Sequence, residues 1–159
     1  MKKNIVITVT ALLILFVSAA AVAADEGSPR AGRLAAVARL DIGKDDGDDI
    51  GQLAVGIEYG LIPHLSAGIG YVYIDGMFPL QENGLDVSLR GFLLDEALDV
   101  YADLGSQLYF SDDFGAVFTL KAGLEWQSPF GVLVGAEGGT VLENSKFGYL
   151  FGVRAGYRF

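Results

Sequence analysis

The sequence predicts an all-β fold, an eight-stranded antiparallel up-and-down transmembrane β-barrel that follows a cleaved signal peptide. Three observations support this prediction. The only apolar stretch of helical length stands at the N-terminus, a hydropathy period of two recurs in eight later segments, and ionisable residues occupy the face opposite the apolar one. The chain of 159 residues has the length of one domain.

The first segment is typical of a secretory signal peptide. Lys2 and Lys3 precede an apolar run over residues 5–17, and small residues including Ala21 and Ala23 follow. A retained membrane anchor is the alternative, but the apolar core is short for a membrane helix, which favours cleavage. We therefore divide the chain into a signal peptide at 1–24, a short N-terminal tether at 25–32 and an outer-membrane β-barrel at 33–159.

Composition excludes several classes of function. Cleavage leaves nine of the eleven basic residues against twenty acidic ones, a formal charge of −11, so nucleic acid is excluded as a partner. The chain has no cysteine and one histidine, His64, so it has no disulfide and no thiolate or multi-histidine metal site. We expect no cofactor.

Eight segments alternate apolar and polar residues, as strands with one apolar face do. A strand of about ten residues, tilted by about 40°, spans the roughly 25 Å apolar band of a membrane barrel. In chain order, the apolar faces consist of every second residue from Leu34 to Ile42, Leu53 to Tyr59, Leu65 to Tyr73, Leu85 to Leu93, Leu98 to Leu104, Phe118 to Trp126, Val132 to Ala136 and Phe147 to Phe159.

Seven connections separate these segments, at residues 44–49, 61–64, 75–84, 95–97, 110–113, 128–131 and 142–146. An even number of strands places both termini on one side of the membrane. The tight turns near residues 61, 95 and 128 are then predicted to be periplasmic, and the longer acidic loops to face outside.

The last segment carries a further pattern. Aromatic or apolar residues occupy every second position and include Tyr157 and the C-terminal Phe159. This resembles the C-terminal assembly signal of outer-membrane proteins that the barrel-assembly machinery reads. Over residues 33–159 the chain resembles the small OmpA/OmpX-like class, without a motif specific to one family. The resemblance implies residence in the bacterial outer membrane, among lipid and lipopolysaccharide.

The face opposite the apolar one is predicted to point into the lumen. A register slip of one residue would turn its charges toward lipid, at about 2–4 kcal/mol for each Arg or Lys near the midplane. The charges are nearly balanced, with five basic and six acidic residues: Arg39, Glu58, Asp86, Arg90, Asp99, Asp103, Lys121, Glu125, Glu137, Arg154 and Arg158.

Hairpin geometry predicts one connected rung of these charges. A turn centred near Glu96 places Arg90 opposite Asp103, and a loop centred near Asp112 places Asp103 opposite Lys121. Lys121 is then predicted to meet Glu137, and Glu137 to meet Arg154. Opposite charges that alternate across neighbouring strands stabilise a sheet face, so we predict a salt-bridge network at mid-depth. An eight-stranded lumen is narrow enough for such side chains to fill it.

Two other candidate sites are open to a simpler interpretation. His64 and Ser66 resemble part of the catalytic motif of barrel enzymes that deacylate lipid A, with His64 as base and Ser66 as nucleophile. They also stand at a tight turn, and turn chemistry alone explains them. The acidic group Asp45, Asp46, Asp48 and Asp49 could hold a calcium ion, or form a solvated loop that recruits divalent cations.

The leading hypothesis is a non-enzymatic integral outer-membrane protein with a plugged, salt-bridged lumen that contributes to envelope integrity or surface interaction. The alternatives are a lipid A-modifying hydrolase that uses His64 and Ser66, a narrow ion or small-solute channel, and a soluble lipocalin-like barrel. The last would bury Trp126 and Tyr157 and expose Lys121 and Arg154. The sequence leaves the oligomeric state open.

Overall fold

The computed structural model describes residues 28–45, 48–76, 81–94, 96–110, 114–143 and 146–159. The predicted signal peptide lies outside them. No helix in these ranges has the length and hydropathy needed to cross a membrane. The eight strands are β1 (Leu34–Asp45), β2 (Asp48–Ile62), β3 (Leu65–Gly76), β4 (Gln81–Phe92), β5 (Leu98–Phe110), β6 (Phe114–Gln127), β7 (Val132–Glu143) and β8 (Lys146–Arg158).

Each strand pairs antiparallel with the next, and β1 pairs with β8 to close the barrel. This arrangement confirms the predicted number and order of strands. The hairpins extend farther than predicted, however, because backbone pairing continues through polar residues to Asp45 with Asp48 and to Glu143 with Lys146. Only two to four residues separate strands on that side, so the longer acidic loops predicted there are mostly strand.

The two rims of the barrel differ. The turn end carries the connections after β2, β4 and β6 together with the start of β1 and the end of β8, and the loop end carries the other four connections. The turn between β6 and β7 closes with hydrogen bonds from the Ser128 amide to the Val132 carbonyl and from the Gly131 amide to the Ser128 carbonyl. Gly131 has a φ of 90°, which favours glycine, so this turn holds three residues between its closing pair.

Side chains alternate between the two faces of the sheet, apart from the irregularity between Gly60 and Ile62 near the end of β2. On β5, Asp103 is 1% exposed and its neighbour Leu104 is 58% exposed. Trp126 and Tyr157 are 46% and 45% exposed, whereas Lys121 and Arg154 are buried. The apolar face therefore covers the outer wall, as in a barrel surrounded by lipid. The soluble lipocalin-like alternative is wrong, because it requires the opposite orientation of these four side chains.

Candidate functional site: the charged lumen

All eleven charged residues predicted to face the lumen are buried inside the barrel. Asp41 and Arg30 join them, so the described residues contribute six basic and seven acidic buried side chains. Period-two alternation places each strand's charges on the inner wall because the same strand presents apolar residues to the outside. The near balance of charge fits mutual pairing rather than attraction of ions of one sign.

Glu58 on β2 is the centre of one cluster. Its carboxylate accepts hydrogen bonds from Arg90 at 2.9 Å, from Arg154 at 3.0 Å and from Arg158 at 3.1 Å. Glu125 on β6 lies 3.0 Å from Arg154 and 3.7 Å from Arg158. Two carboxylates on opposite sides of the barrel therefore share the same guanidinium groups, and the contacts cross the lumen.

A second cluster surrounds Lys121 on β6. Its Nζ donates to Asp41 at 2.6 Å and to Glu137 at 2.9 Å. Arg39 also reaches both carboxylates, with Nε at 2.9 Å from Asp41 and 3.5 Å from Glu137. The Tyr101 hydroxyl donates to Glu137 at 2.6 Å. Because Asp41 stands on β1 and Lys121 on β6, this cluster also links opposite walls.

The predicted rung is correct in part. Arg90 lies opposite Asp103 and donates to it at 2.6 Å, as predicted. Asp103 lies opposite Lys121 as well, but the ammonium group bonds to Asp41 and Glu137 instead. Most contacts of the network therefore cross the narrow lumen, and fewer of them join residues that lie opposite each other on neighbouring strands.

The predicted register of the last two hairpins is wrong by two residues. Lys121 lies opposite Gly139, and Glu137 lies opposite Gly152 rather than Arg154. The reason is the geometry of the connections: Gly131 lengthens one turn, and the β7–β8 hairpin continues to Glu143. Lys121 still reaches Glu137, because a long side chain spans the diagonal between neighbouring strands.

Toward the loop end the lumen contents change from charged to neutral. Gln52 and Gln107 exchange hydrogen bonds at 3.3 and 3.1 Å, and the Tyr109 hydroxyl donates to Gln107. Around them, inward side chains form a buried apolar cluster of Ala54, Val72, Tyr109, Val117, Val141 and Leu150. The alternation in the sequence places these residues on the inner face. It did not indicate that they form one layer, because they are few among the charged residues of that face.

Toward the turn end, part of the predicted tether packs inside the barrel. Arg30 is fully buried, with Nη1 3.1 Å from Asp99 of β5. Its guanidinium lies 4.0 Å from the centre of the Phe92 ring. The polar composition of residues 25–32 did not indicate this position, since one arginine in a glycine- and proline-containing segment has no periodic pattern.

His64 and Ser66 face different environments. The imidazole is exposed at the turn between β2 and β3, whereas the Ser66 side chain is fully buried in the lumen. Within the described part of the chain, no hydrogen bond joins the two side chains. A serine nucleophile requires a base within hydrogen-bond reach and access for its substrate. Here His64 faces outward and Ser66 is buried, so the structure does not bring them together as a base and a nucleophile.

The acidic group at the first loop is described only in part. Asp46 and the side chains of Asp45 and Asp48 lie outside what the structure describes, and Asp49 pairs with Lys44 at 3.2 Å. Among the described residues, no group of three or more His, Cys, Asp or Glu side chains could hold a metal ion.

The C-terminal residues predicted to form the assembly signal project from the outer wall. Phe159 is 69% exposed, and its ring contacts Tyr157 edge-on with ring centres 5.2 Å apart. The Phe159 amide donates to the Leu34 carbonyl at 2.8 Å, which fixes this end of β8 against β1.

Comparison with known proteins concerns the fold. No family model matches the chain, and no curated protein matches its sequence. A de novo designed transmembrane β-barrel is similar, with a TM-score of 0.61 and 16% identity over 83% of this chain and 99% of the other. The N-terminal β-barrel domain of OprF from Pseudomonas aeruginosa gives 0.62 and 16% identity over 80% and 98%. The designed barrel TMB2.3 gives 0.53 and 18% identity over 85% and 98%. With the apolar outer wall, these similarities confirm the predicted fold, an eight-stranded antiparallel up-and-down β-barrel built like those of the membrane barrels compared.

Proposed function

We propose that this chain is a non-enzymatic integral protein of the bacterial outer membrane, with a lumen closed by its own side chains, and that it contributes to envelope integrity. The observation that carries the proposal is the pairing of buried charges across the lumen, from Glu58 to three arginines and from Lys121 to two carboxylates. Ionised groups in contact with each other leave little space for a passing ion.

Three successive layers support closure. Arg30 stands at the turn end, the charged clusters fill the middle, and the apolar cluster lies toward the loop end. A cavity of about 30 Å³ lies beside Gly56, Gly68 and Gly70, and its mixed polar and apolar lining includes Glu58 and Arg90. Since one water molecule needs about 10–15 Å³, this space accommodates about two water molecules. A hydrated ion would have to break several buried ion pairs, each costly to separate.

The outer wall supports residence in a membrane. Its exposed side chains are large and apolar along every strand, including Leu40, Leu104, Leu120 and Phe151. Export by the predicted signal peptide and recognition of Tyr157 and Phe159 by the barrel-assembly machinery would bring the protein to the outer membrane, where lipid and lipopolysaccharide surround it. The connections of two to four residues at the loop end offer a small area for surface interaction, which favours a structural role.

Planar-bilayer recording tests closure. Purified, refolded protein should give no steady current above the bare bilayer, while a general porin inserted in the same membranes gives stepwise conductance. Reproducible steps that scale with the amount of protein would overturn the proposal and favour the narrow channel. Flotation of the native membranes tests location, and recovery of the protein outside the outer-membrane fraction would contradict it.

Lipid A analysis tests the absence of enzymatic activity. Cells that produce the wild-type protein, the Ser66→Ala variant or no protein should contain the same lipid A species by mass spectrometry. A deacylated species found with the wild type and lost with Ser66→Ala would replace the proposal by the hydrolase hypothesis.

A further inference from the structure

We propose that residues 28–31 form a stopper in the turn-end mouth, and that Arg30 occupies a guanidinium-binding site built by Asp99, Glu125 and the Phe92 ring. The site is part of the barrel wall, and the arginine that fills it comes from outside the strands. The inference goes beyond closure of the charged middle layer, and it does not depend on where the protein resides.

The wall presents two like charges to this position. Asp99 on β5 and Glu125 on β6 are register partners, and both side chains are buried. Carboxylates directly opposite each other on one face destabilise a strand pair unless a cation lies between them. Arg30 supplies the cation nearest Asp99, with Nη1 3.1 Å from it, and its Nε lies 3.9 Å from Glu125, which Arg154 also contacts at 3.0 Å.

An aromatic ring and a carbonyl complete the site. The Arg30 guanidinium lies over the face of Phe92 at 4.0 Å from the ring centre, a cation–π contact that is stronger away from water. Its Nη2 donates to the Glu96 carbonyl at 3.1 Å. Carboxylates, an aromatic face and a carbonyl together match a planar guanidinium better than a compact ammonium.

The backbone of the segment is fitted to the same mouth. The Ser28 hydroxyl accepts hydrogen bonds from the Arg30 and Ala31 amides at 3.1 and 3.0 Å, and Ala31 forms a parallel bridge with Gly60 of β2. A Cβ on Gly60 would stand 2.0 Å from the Arg30 carbonyl oxygen. The absence of a side chain at Gly60 therefore lets the stopper approach the wall.

Thiol labelling measures whether the stopper is seated. The chain has no cysteine, so a Ser28→Cys variant carries a single thiol, buried in place of a side chain that is 6% exposed. In detergent micelles, a charged maleimide should label this thiol slowly. Adding Arg30→Ala should raise the rate at least about tenfold, because the segment loses its buried ion pairs and opens more often. Arg33→Ala, which removes an exposed arginine two residues after the stopper, should leave the rate unchanged.

Gly60→Ala provides a second route that changes no charge. It should also raise labelling of Ser28→Cys, because the added methyl group collides with the seated backbone. Heat-modifiable mobility on gels verifies that each variant retains the barrel. Folded Arg30→Ala and Gly60→Ala proteins that label as slowly as their parent would overturn the stopper. If Arg30→Ala fails to fold, the labelling rate measured with Gly60→Ala alone tests the stopper.

Chemical rescue tests the guanidinium site itself. Added ethylguanidinium should raise the unfolding temperature of the Arg30→Ala protein, because it fills the vacated site beside Asp99 and the Phe92 ring, whereas ethylammonium at the same concentration should raise it less. Equal effects of the two cations would contradict a site of guanidinium shape. All these measurements are made in micelles without current or cell fractionation, so their failure is distinguishable from failure of the proposed function.

Discussion

Arg39 of β1 and Arg154 of β8 are register partners across the seam that closes the barrel. Two guanidinium groups directly opposite each other repel, and neither neutralises the other. Their partners stand elsewhere: Arg39 contacts Asp41, Asp86 and Glu137, and Arg154 contacts Glu58 and Glu125. Closure of the first strand on the last therefore depends on carboxylates supplied mainly by β2, β4, β6 and β7.

The first prediction concerns Glu58, the carboxylate shared by three arginines. Glu58→Gln keeps the size of the side chain but removes the charge that Arg90, Arg154 and Arg158 contact. We expect the free energy of unfolding to fall by about 3–5 kcal/mol, since buried cations lose their counter-charge. Urea unfolding in lipid vesicles, followed by the fluorescence of Trp126, measures the change.

An exposed ion pair provides the matched control for this variant. Asp49 pairs with Lys44 at 3.2 Å, but about half of each side chain is exposed. Asp49→Asn should therefore cost about 0–1 kcal/mol. A Glu58→Gln effect as small as that of Asp49→Asn would mean that the lumen is wet enough to screen its charges.

The second prediction tests contact of the outer wall with lipid. Leu120 is 58% exposed in the middle of β6, between Leu104 and Thr140 on the neighbouring strands. Leu120→Arg should destabilise the barrel in a bilayer by about 2–4 kcal/mol, because the charge enters the hydrocarbon region. Phe130→Arg, at an exposed turn, should cost about 0–1 kcal/mol. Equal small costs would place Leu120 outside the apolar region of the membrane.

The strand count and the direction of the side chains could be predicted from the sequence because both follow from one local period. A residue such as Asp103 must point inward once Leu104 points outward, whatever the distant strands do. The pairing of Arg90 with Asp103 was also predictable, because a short turn fixes the register of its own hairpin.

Contacts across the lumen could not be predicted in the same way. The pairing of Lys121 with Asp41 depends on the diameter of the closed barrel, and neither residue is close to the other in sequence. The position of Arg30 depends on a mouth that exists only after closure. The error between Lys121 and Glu137 had a local cause, the three-residue turn that Gly131 permits, and glycine at that position was the available sign.

The third prediction concerns Tyr101, whose hydroxyl the sequence did not connect with the charged network. The hydroxyl donates to Glu137 at 2.6 Å, and the ring lies 4.4 Å from the Arg90 guanidinium. Tyr101→Phe keeps the ring and removes the hydrogen bond to a carboxylate, so we expect a loss of about 1.5–3 kcal/mol in unfolding free energy. Tyr149→Phe alters an exposed tyrosine on the outer wall and should have little effect. Equal effects of the two changes would show that the bond to Glu137 contributes nothing measurable.

The fourth prediction separates assembly from stability at Phe159. The ring is 69% exposed and contacts Tyr157, so it contributes little to the buried interior. If the barrel-assembly machinery reads this end of β8, Phe159→Ala should lower the amount of folded protein in the outer membrane while leaving the urea midpoint of the refolded protein nearly unchanged. Phe130→Ala removes an even more exposed ring from a turn and should alter neither quantity. Heat-modifiable mobility of the cellular protein gives the first measurement and unfolding in vesicles the second. A residue that the machinery recognises must be needed before the barrel has closed. Normal assembly of Phe159→Ala would therefore mean that the ring is ordinary outer-wall surface.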